Sequence, residues 1–477
     1  MNLKMVSYIL GLLLMFQAVF MAIPAVTALC YGEQELWIFL GIALICLLIG
    51  RLMTWRKPKN KTLFAREGFV IVALSWIVLS LIGAMPFFLS REIPNYIDAL
   101  FESVSGFTTT GASILTEVES LPRSILMWRS FTHWIGGMGV LVFIMAFLPL
   151  SGAQNMHIMK AESPGPSVGK LVPRVKTTAL LLYAIYFALT VMQWILLLCG
   201  GMSLFDSLNT AFATAGTGGF GIRNDSLNGY SAYVQIVVTV FMLLFSINFN
   251  SYYFLLRGKL KEAFTTEVKA FLLIVGTVIT IVTINIHAIF GSVGEALRHA
   301  AFTIASLIST TGFATVDFNT WPELSRALLV LVMFVGACAG STGGGIKVSR
   351  ILILCKSVTK ELRNMLHPKQ VKRITMDSHA VDHDVVRSVN VYMICYAVIF
   401  IGSFLVLSLE NNDLVTTFTA VTATLNNIGP GLEMVGPTAN YAFFSMPSKF
   451  VLIFDMLAGR LELFPMLLIF LPNTWKK

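Results

Sequence analysis

Apolar residues run through this chain in long blocks separated by short polar spacers. The blocks at 68–89, 177–199, 233–247 and 389–408 carry no charge. Most approach the ~20 residues that cross a bilayer as a helix. Two further blocks, near 6–29 and 36–53, are joined by the turn YGEQE and predict an opening hairpin. After it one pattern recurs four times: an apolar helix, a short semi-apolar segment that ends in glycine, and a second apolar helix. The short segments are DALFESVSGFTTTGAS (98–113), DSLNTAFATAGTGGFG (206–221), HAAFTIASLISTTGFAT (299–315) and DLVTTFTAVTATLNNIGPG (413–431). They are too short and too polar to span. Each predicts a half-helix of about ten residues followed by extended chain. Asp98, Asp206, Glu295 and Asp413 lie near the starts, where acids complement the helix dipole and cap free N–H groups.

Non-helical backbone is tolerated at membrane depth only inside protein or beside a water-filled path. Four such segments therefore predict a shared axis. The expected fold is an all-α integral membrane protein of about ten spanning helices. It consists of an N-terminal hairpin (1–60) and four pseudo-symmetric helix–pore loop–helix repeats around a central pore, at 61–156, 170–262, 263–366 and 385–477.

Composition agrees. Hydrophobic residues make up 56% and charged residues 12%, where a soluble domain carries roughly 25% charged. Mean hydropathy is +0.77. Lys and Arg cluster at Arg51 to Arg66, Lys160 to Lys176, Arg257 to Lys269 and Lys347 to Arg373, and are sparse between. This positive-inside alternation puts both termini in the cytoplasm. Charge placed beside spans, rather than along one face of a fold, argues against nucleic acid as a partner. The apolar run that ends near Leu29 is too long for a signal peptide and reads as a transmembrane helix. The six cysteines show neither metal-ligand spacing nor a disulfide framework.

Aligned on glycine, the four loops read TTTG (108–111), GTGG (216–219), STTG (309–312) and NNIG (426–429). They hold no carboxylate, histidine or cysteine, so strong metal chelation and general-base chemistry are excluded there. Backbone carbonyls remain, and rings of carbonyls can replace the water shell of a monovalent cation. Stacked carbonyls need alternating backbone angles, and glycine takes positive φ without strain. The half-helices would aim their partial negative C-termini at the same point. Residues 216–221 also fit G-x-G-x-x-G, but that motif needs a βαβ setting that a membrane half-helix does not supply.

The four-fold plan resembles the TrkH/KtrB superfamily of potassium transporters and channels. So do FTTTGAS, TGGFG, STTGFAT, NNIGPG, HWIGGMG (133–139) and GSTGGGIK (340–347). The resemblance covers nearly the whole chain, and the extra N-terminal hairpin resembles the TrkH branch. It implies a K⁺-binding filter at Thr109, Thr110, Gly111, Thr217, Gly218, Gly219, Thr310, Thr311, Gly312, Asn427, Ile428 and Gly429. Gly111, where some relatives carry serine, implies K⁺ in preference to Na⁺. NNIG departs furthest from the TTTG type. The resemblance also implies a homodimer in the membrane and a separate cytosolic regulatory subunit with nucleotide-binding RCK domains. No cofactor is implied, and K⁺ is the transported ligand.

Residues 336–350 read GACAGSTGGGIKVSR. Gly340 and Gly345 have phosphate-loop spacing, but Ile346 stands where the lysine belongs and Lys347 comes one residue late. Residues 326–335 are too few to cross roughly 30 Å of hydrocarbon. The second helix of repeat 3 is therefore expected to break mid-membrane and resume through ILILC. By resemblance the break is a gate beneath the filter, with Gly336, Gly340, Gly343, Gly344, Gly345 and Lys347. Arg460 lies deep in the last span, where an arginine costs about 2.5–3.5 kcal/mol on insertion scales. Asp455 and Glu462 are near in sequence, yet neither is one turn away on its face. By resemblance Arg460 faces the pore and joins the gate. Arg129 and His133 read as satisfied interior groups.

The longest inward segment, about 357–386, falls below the ~40-residue floor for an unaided domain, so a ligand-regulated gate needs a separate protein. The basic inner face also suits anionic membrane lipid. The expected function is K⁺ uptake across the cell (inner) membrane, with Rb⁺ and Na⁺ as further candidate ions. Membrane potential supplies about 2.3 kcal/mol per charge per 100 mV. The alternative is a symporter coupling K⁺ or Na⁺ to H⁺ or Na⁺. Against it stands the scarcity of carboxylates in the spans. An enzyme is not expected, because no nucleophile–base set or paired carboxylates fall in the spans.

Overall fold

Apolar helices dominate the chain, as the blocks require. The computed structural model describes residues 1–58, 63–139, 175–368, 373–377 and 379–475. The basic stretch 160–174 and the end of repeat 1, 140–156, lie outside the described residues. Leu3–Tyr31 forms one long span and Glu35–Thr54 returns beside it. Gly32, at φ +70°, ends the first span in a left-handed cap, the position that favours glycine. The two helices cross tightly: a Cβ on Gly50 would lie 2.6 Å from the Gly11 carbonyl oxygen.

Four helix–half-helix–helix units follow. The leading helices are Ala65–Gly83, Val175–Cys199, Thr266–Ile286 and His383–Leu407. The half-helices are Tyr96–Phe107, Leu204–Ala215, Val293–Ile308 and Leu414–Leu425. Their caps correct one expectation. Asn95, Ser203 and Ser292 cap the first three through their side chains, with Asp98, Asp206 and Glu295 in the first turn. Only Asp413 is itself the cap. The acids of the first three serve the dipole, and Asp98 also pairs with Lys449 at 2.7 Å.

The return helices are the irregular part. Among the described residues, six helices are long and apolar enough to cross a membrane, or seven with one bent pair. The expected break in unit 3 is present: Glu323–Val335 stops and Val348–Leu366 resumes. Two further breaks were not expected. Unit 2 bends by 94° between Ala232–Ser246 and Phe249–Leu256. Unit 4 breaks between Met446–Arg460 and Phe464–Phe470, with Glu462 and Leu463 at positive φ. The return helix of unit 1 is described from Arg123 to Gly137. One small departure from an all-helical chain is a two-residue strand pair, Thr375–Met376 with His379–Ala380. Large apolar side chains such as Trp37, Leu48, Ile394 and Val398 are exposed on the outer helices, as lipid-facing surfaces require.

Candidate functional site

The four half-helices end in one way. Two residues past each end, Thr109, Thr217, Thr310 and Asn427 adopt left-handed backbone at φ +55°, +55°, +60° and +55°. Their N–H groups donate to Gly106, Thr214, Leu307 and Thr424 carbonyls at 2.9–3.2 Å. The next N–H groups, of Thr110, Gly218, Thr311 and Ile428, donate to Ser105, Ala213, Ser306 and Ala423 at 2.8–2.9 Å. Together these bonds are a Schellman closure. Glycine is usual at the left-handed position, and another residue there costs of order 1–3 kcal/mol.

Three of these side chains are engaged. Thr310 Oγ1 accepts from the Gly344 N–H at 2.6 Å. Asn427 Nδ2 donates to Thr110 Oγ1 and to the Met456 carbonyl, both at 2.9 Å. Thr217 Oγ1 donates to the Gly216 carbonyl at 2.6 Å.

Glycine follows in each loop, again at positive φ: Gly111 (+78°), Gly219 (+75°), Gly312 (+84°) and Gly429 (+95°). These glycines reveal a ring. A Cβ on Gly111 would lie 1.9 Å from the Gly218 carbonyl oxygen, and one on Gly219 would lie 1.9 Å from that of Thr311. One on Gly312 would meet Ile428 at 2.1 Å, and one on Gly429 would meet Thr110 at 2.8 Å. Each loop therefore packs its glycine against the carbonyl of the next, and the fourth closes on the first. Among the described residues no donor reaches the carbonyl oxygens of Thr110, Gly218, Thr311 or Ile428. Buried carbonyls are nearly always paired, and this ring leaves four acceptors without a protein donor among the described residues. Beyond the ring lies a cavity of about 150 Å³, lined by all four glycines together with Arg129, Arg223 and Tyr441.

Buried polar side chains brace the loops, and the sequence did not single out most of them. Glu102 and Arg129 are 0% and 2% exposed and pair at 2.8 Å. Glu102 also accepts from Ser113 Oγ and the Ile114 N–H, while Arg129 donates to the Gly221 carbonyl at 3.1 Å. The pair thus ties the chain leaving loop 1 to that leaving loop 2. His133 Nε2 accepts from the Phe220 N–H at 3.2 Å, which leaves Nδ1 to donate to the Gly106 carbonyl at 2.8 Å. Both nitrogens are used, so His133 is a fixed strut between two loops. Removing one partner of a buried pair costs about 3–5 kcal/mol. Arg129→Met should therefore lower the thermal midpoint of the detergent-solubilised protein clearly, and the Glu102→Gln/Arg129→Met double variant should lower it less.

On the half-helix side of the ring sits the loop 336–347. Gly336, Gly340 and Gly345 take positive φ. A Cβ on Gly343 would lie 2.8 Å from the Ser309 carbonyl oxygen, and one on Gly344 would lie 2.4 Å from that of Asn426. The loop is thus pressed against the ends of half-helices 3 and 4, and the Gly345 N–H donates to the Asn426 carbonyl at 3.1 Å. The bend in unit 2 has its cause here. Carbonyls freed at Phe245 and Ser246 accept from the Thr342 and Cys338 N–H groups, at 3.3 and 3.0 Å. Glu267 holds both feet of the loop, accepting from Ala339 at 2.7 Å and Ser349 at 3.0 Å. Lys347 is buried and donates to the Gly343 carbonyl.

Arg460 lies across this loop. Its guanidinium donates to the Thr342 carbonyl at 2.8 Å and to the Gly136 and Gly137 carbonyls at 2.5 and 2.7 Å. It thereby joins units 1, 3 and 4. Glu462 pairs instead with Arg350, and Asp455 accepts from Ser403 Oγ at 2.7 Å. A cavity of about 80 Å³ is lined by Gly340, Gly343, Gly344, Gly345, Lys347 and Arg460, among others. Of the gate residues named from the sequence, six line this cavity, and Gly336 packs beside it against Gly344 and Gly345. Buried carboxylates are nonetheless present, Glu102 in a half-helix, Glu267 at the start of a leading helix and Asp455 in the last return helix. Among the described residues no group of three or more His, Cys, Asp and Glu side chains is placed to hold a metal.

Four half-helices that close a carbonyl ring within a bundle of membrane-length helices are the architecture of an integral membrane transporter. The chain belongs to the TrkH family: the family described as cation transport protein matches residues 37–477. It is similar to the Trk system potassium uptake protein TrkH of Escherichia coli (strain K12), 37% identical over 100% of both chains. The Trk system potassium uptake protein TrkG of that strain is 33% identical, over 100% of this chain and 99% of that one. The crystal structure of the potassium transporter TrkH from Vibrio parahaemolyticus matches with a TM-score of 0.89 and 33% identity, over 100% of both chains.

Proposed function

We propose that the chain takes up K⁺ across the cell's inner membrane, through a filter built from the four loops and closed by the 336–347 loop with Arg460. The single observation that carries this reading is the closed ring of open carbonyls at Thr110, Gly218, Thr311 and Ile428. Left-handed Thr109, Thr217, Thr310 and Asn427 and the glycines 111, 219, 312 and 429 give each loop the alternating backbone such a filter needs. Half-helix C-termini add partial negative charge. The repeats extend over 61–156, 170–262, 263–366 and 385–477, with both termini cytoplasmic.

Arg460 sets a guanidinium in the cavity behind the filter, beside the buried Lys347, and fixed positive charge there opposes cation passage. Opening requires the loop 336–347 to leave the half-helix ends. A cytosolic nucleotide-binding RCK-type subunit is the proposed source of that work, and a homodimer is the proposed assembly. The test is ⁸⁶Rb⁺ uptake into proteoliposomes holding the chain alone. Uptake driven by an inside-negative potential and competed by K⁺ more strongly than by Na⁺ is expected; competition that favours Na⁺ would refute K⁺ preference.

Coupled symport is a second reading, favoured by Asp455. This side chain is 0% exposed, and its Oδ2 has no partner among the described residues. A buried carboxyl with a spare oxygen inside a span is a group able to carry a proton. Symport with H⁺ predicts a reversal potential that moves with the pH gradient at fixed K⁺, and uncoupled conduction predicts none.

A further inference from the structure

The fourth loop breaks the symmetry of the ring, and one side chain accounts for it. Among the described residues no donor reaches the carbonyls of Gly111, Gly219 or Gly312. The Gly429 carbonyl, by contrast, accepts from the Tyr441 hydroxyl at 2.7 Å. Two backbone measures depart at the same place. Gly429 has the largest φ of the four, +95° against +75° to +84°. Its approach to the neighbouring loop is the loosest, 2.8 Å against 1.9–2.1 Å for the other three. Tyr441 is itself firmly held. It is 2% exposed, its ring lies 5.7 Å from that of Phe101 and 6.0 Å from that of Phe444, and its N–H donates to the Ser113 carbonyl at 2.8 Å. One residue thus grips loop 4 by its hydroxyl and the chain leaving loop 1 by its backbone.

We infer that Tyr441 is a positioning residue for the glycine ring of the ion path, holding the Gly429 carbonyl away from the axis so that three carbonyls of that ring remain open to the ion. The inference rests on reading the four loops as the K⁺ filter. A carbonyl engaged by a phenol is a poorer ion ligand, because one of its two lone pairs and its orientation are already committed. The glycine ring lies farthest from the half-helix ends, opposite the 336–347 loop that leads into the basic inward stretch, so on that reading it is the ring that external K⁺ meets first. A three-carbonyl ring there binds K⁺ more weakly and exchanges it with water more readily, since selectivity and affinity depend on the number and field of the ligands.

Tyr441→Phe removes the hydroxyl and keeps the ring between Phe101 and Phe444. In proteoliposomes with the full chain, the external K⁺ concentration for half-maximal uptake should fall at least threefold, whatever amount of protein is incorporated. Phe444→Leu loosens the same packing without touching the hydroxyl, and should leave half-saturation at the wild-type value. An unchanged or raised half-saturation in Tyr441→Phe, or an equal fall in both variants, would overturn the assignment while leaving the filter reading intact. Wild-type protein that passes no K⁺ would overturn both.

Discussion

Gly111→Ala is expected to reduce ⁸⁶Rb⁺ uptake at least a hundredfold at equal protein. Two independent costs act at this position. The backbone sits at φ +78°, where a Cβ adds roughly 1–2 kcal/mol of strain. That Cβ would also lie 1.9 Å from the Gly218 carbonyl oxygen. The obstruction is backbone rather than a flexible side-chain end, so relief must come from moving one loop of the ring. Moving one loop opens the spacing of the whole ring, because each glycine rests against the next loop. Gly41→Ala is the matched control, since a Cβ there meets nothing within 4 Å. It should leave uptake unchanged. Uptake by Gly111→Ala within threefold of wild type would mean that the ring does not set the ion path.

Arg460→Ala is expected to raise basal uptake about tenfold or more in the absence of any regulatory subunit. The guanidinium does two things in this structure. It joins the Thr342, Gly136 and Gly137 carbonyls, fastening the loop of unit 3 to the return helix of unit 1. It also places a full charge in the cavity behind the carbonyl ring. A unit charge within about 4–8 Å of a passing cation opposes it by roughly 2–4 kcal/mol at an effective dielectric of ~20, and each 1.4 kcal/mol is about a factor of ten. Arg460→Lys keeps the charge but not the fork that reaches three carbonyls, so it should fall between wild type and alanine. Basal uptake by Arg460→Ala at or below the wild-type level would remove Arg460 from the barrier.

Much of this site was legible in the sequence because the signals were local. Glycine at the end of four short semi-apolar segments forecast four loops, and all four glycines take positive φ. The break after Val335 followed from length alone, since 326–335 cannot cross a bilayer. Features set by distant partners were not legible. Asn248, which caps the helix after the bend, is the one local mark in VVTVFMLLFSINFN, and the 94° angle could not be read because the loop of unit 3 donates to Phe245 and Ser246 from far along the chain. Glu462 and Asp455 were rightly set aside as partners for Arg460, but the partners they do have, Arg350 and Ser403 on other helices, could not be read from the chain. Glu102 sat unremarked in a half-helix, although its pairing with Arg129 braces two loops. The left-handed threonines gave no warning either, as threonine ordinarily avoids that backbone. The position is imposed by the Schellman closure together with the adjoining glycine.

The most direct measurement is anomalous scattering from crystals of the protein grown in Rb⁺ in place of K⁺. Peaks on the axis enclosed by Thr110, Gly218, Thr311 and Ile428, at distances suited to carbonyl ligation, are the predicted result. An ordered ring with no peak on that axis, or Rb⁺ bound only at side-chain carboxylates elsewhere, would contradict the reading of these loops as the filter.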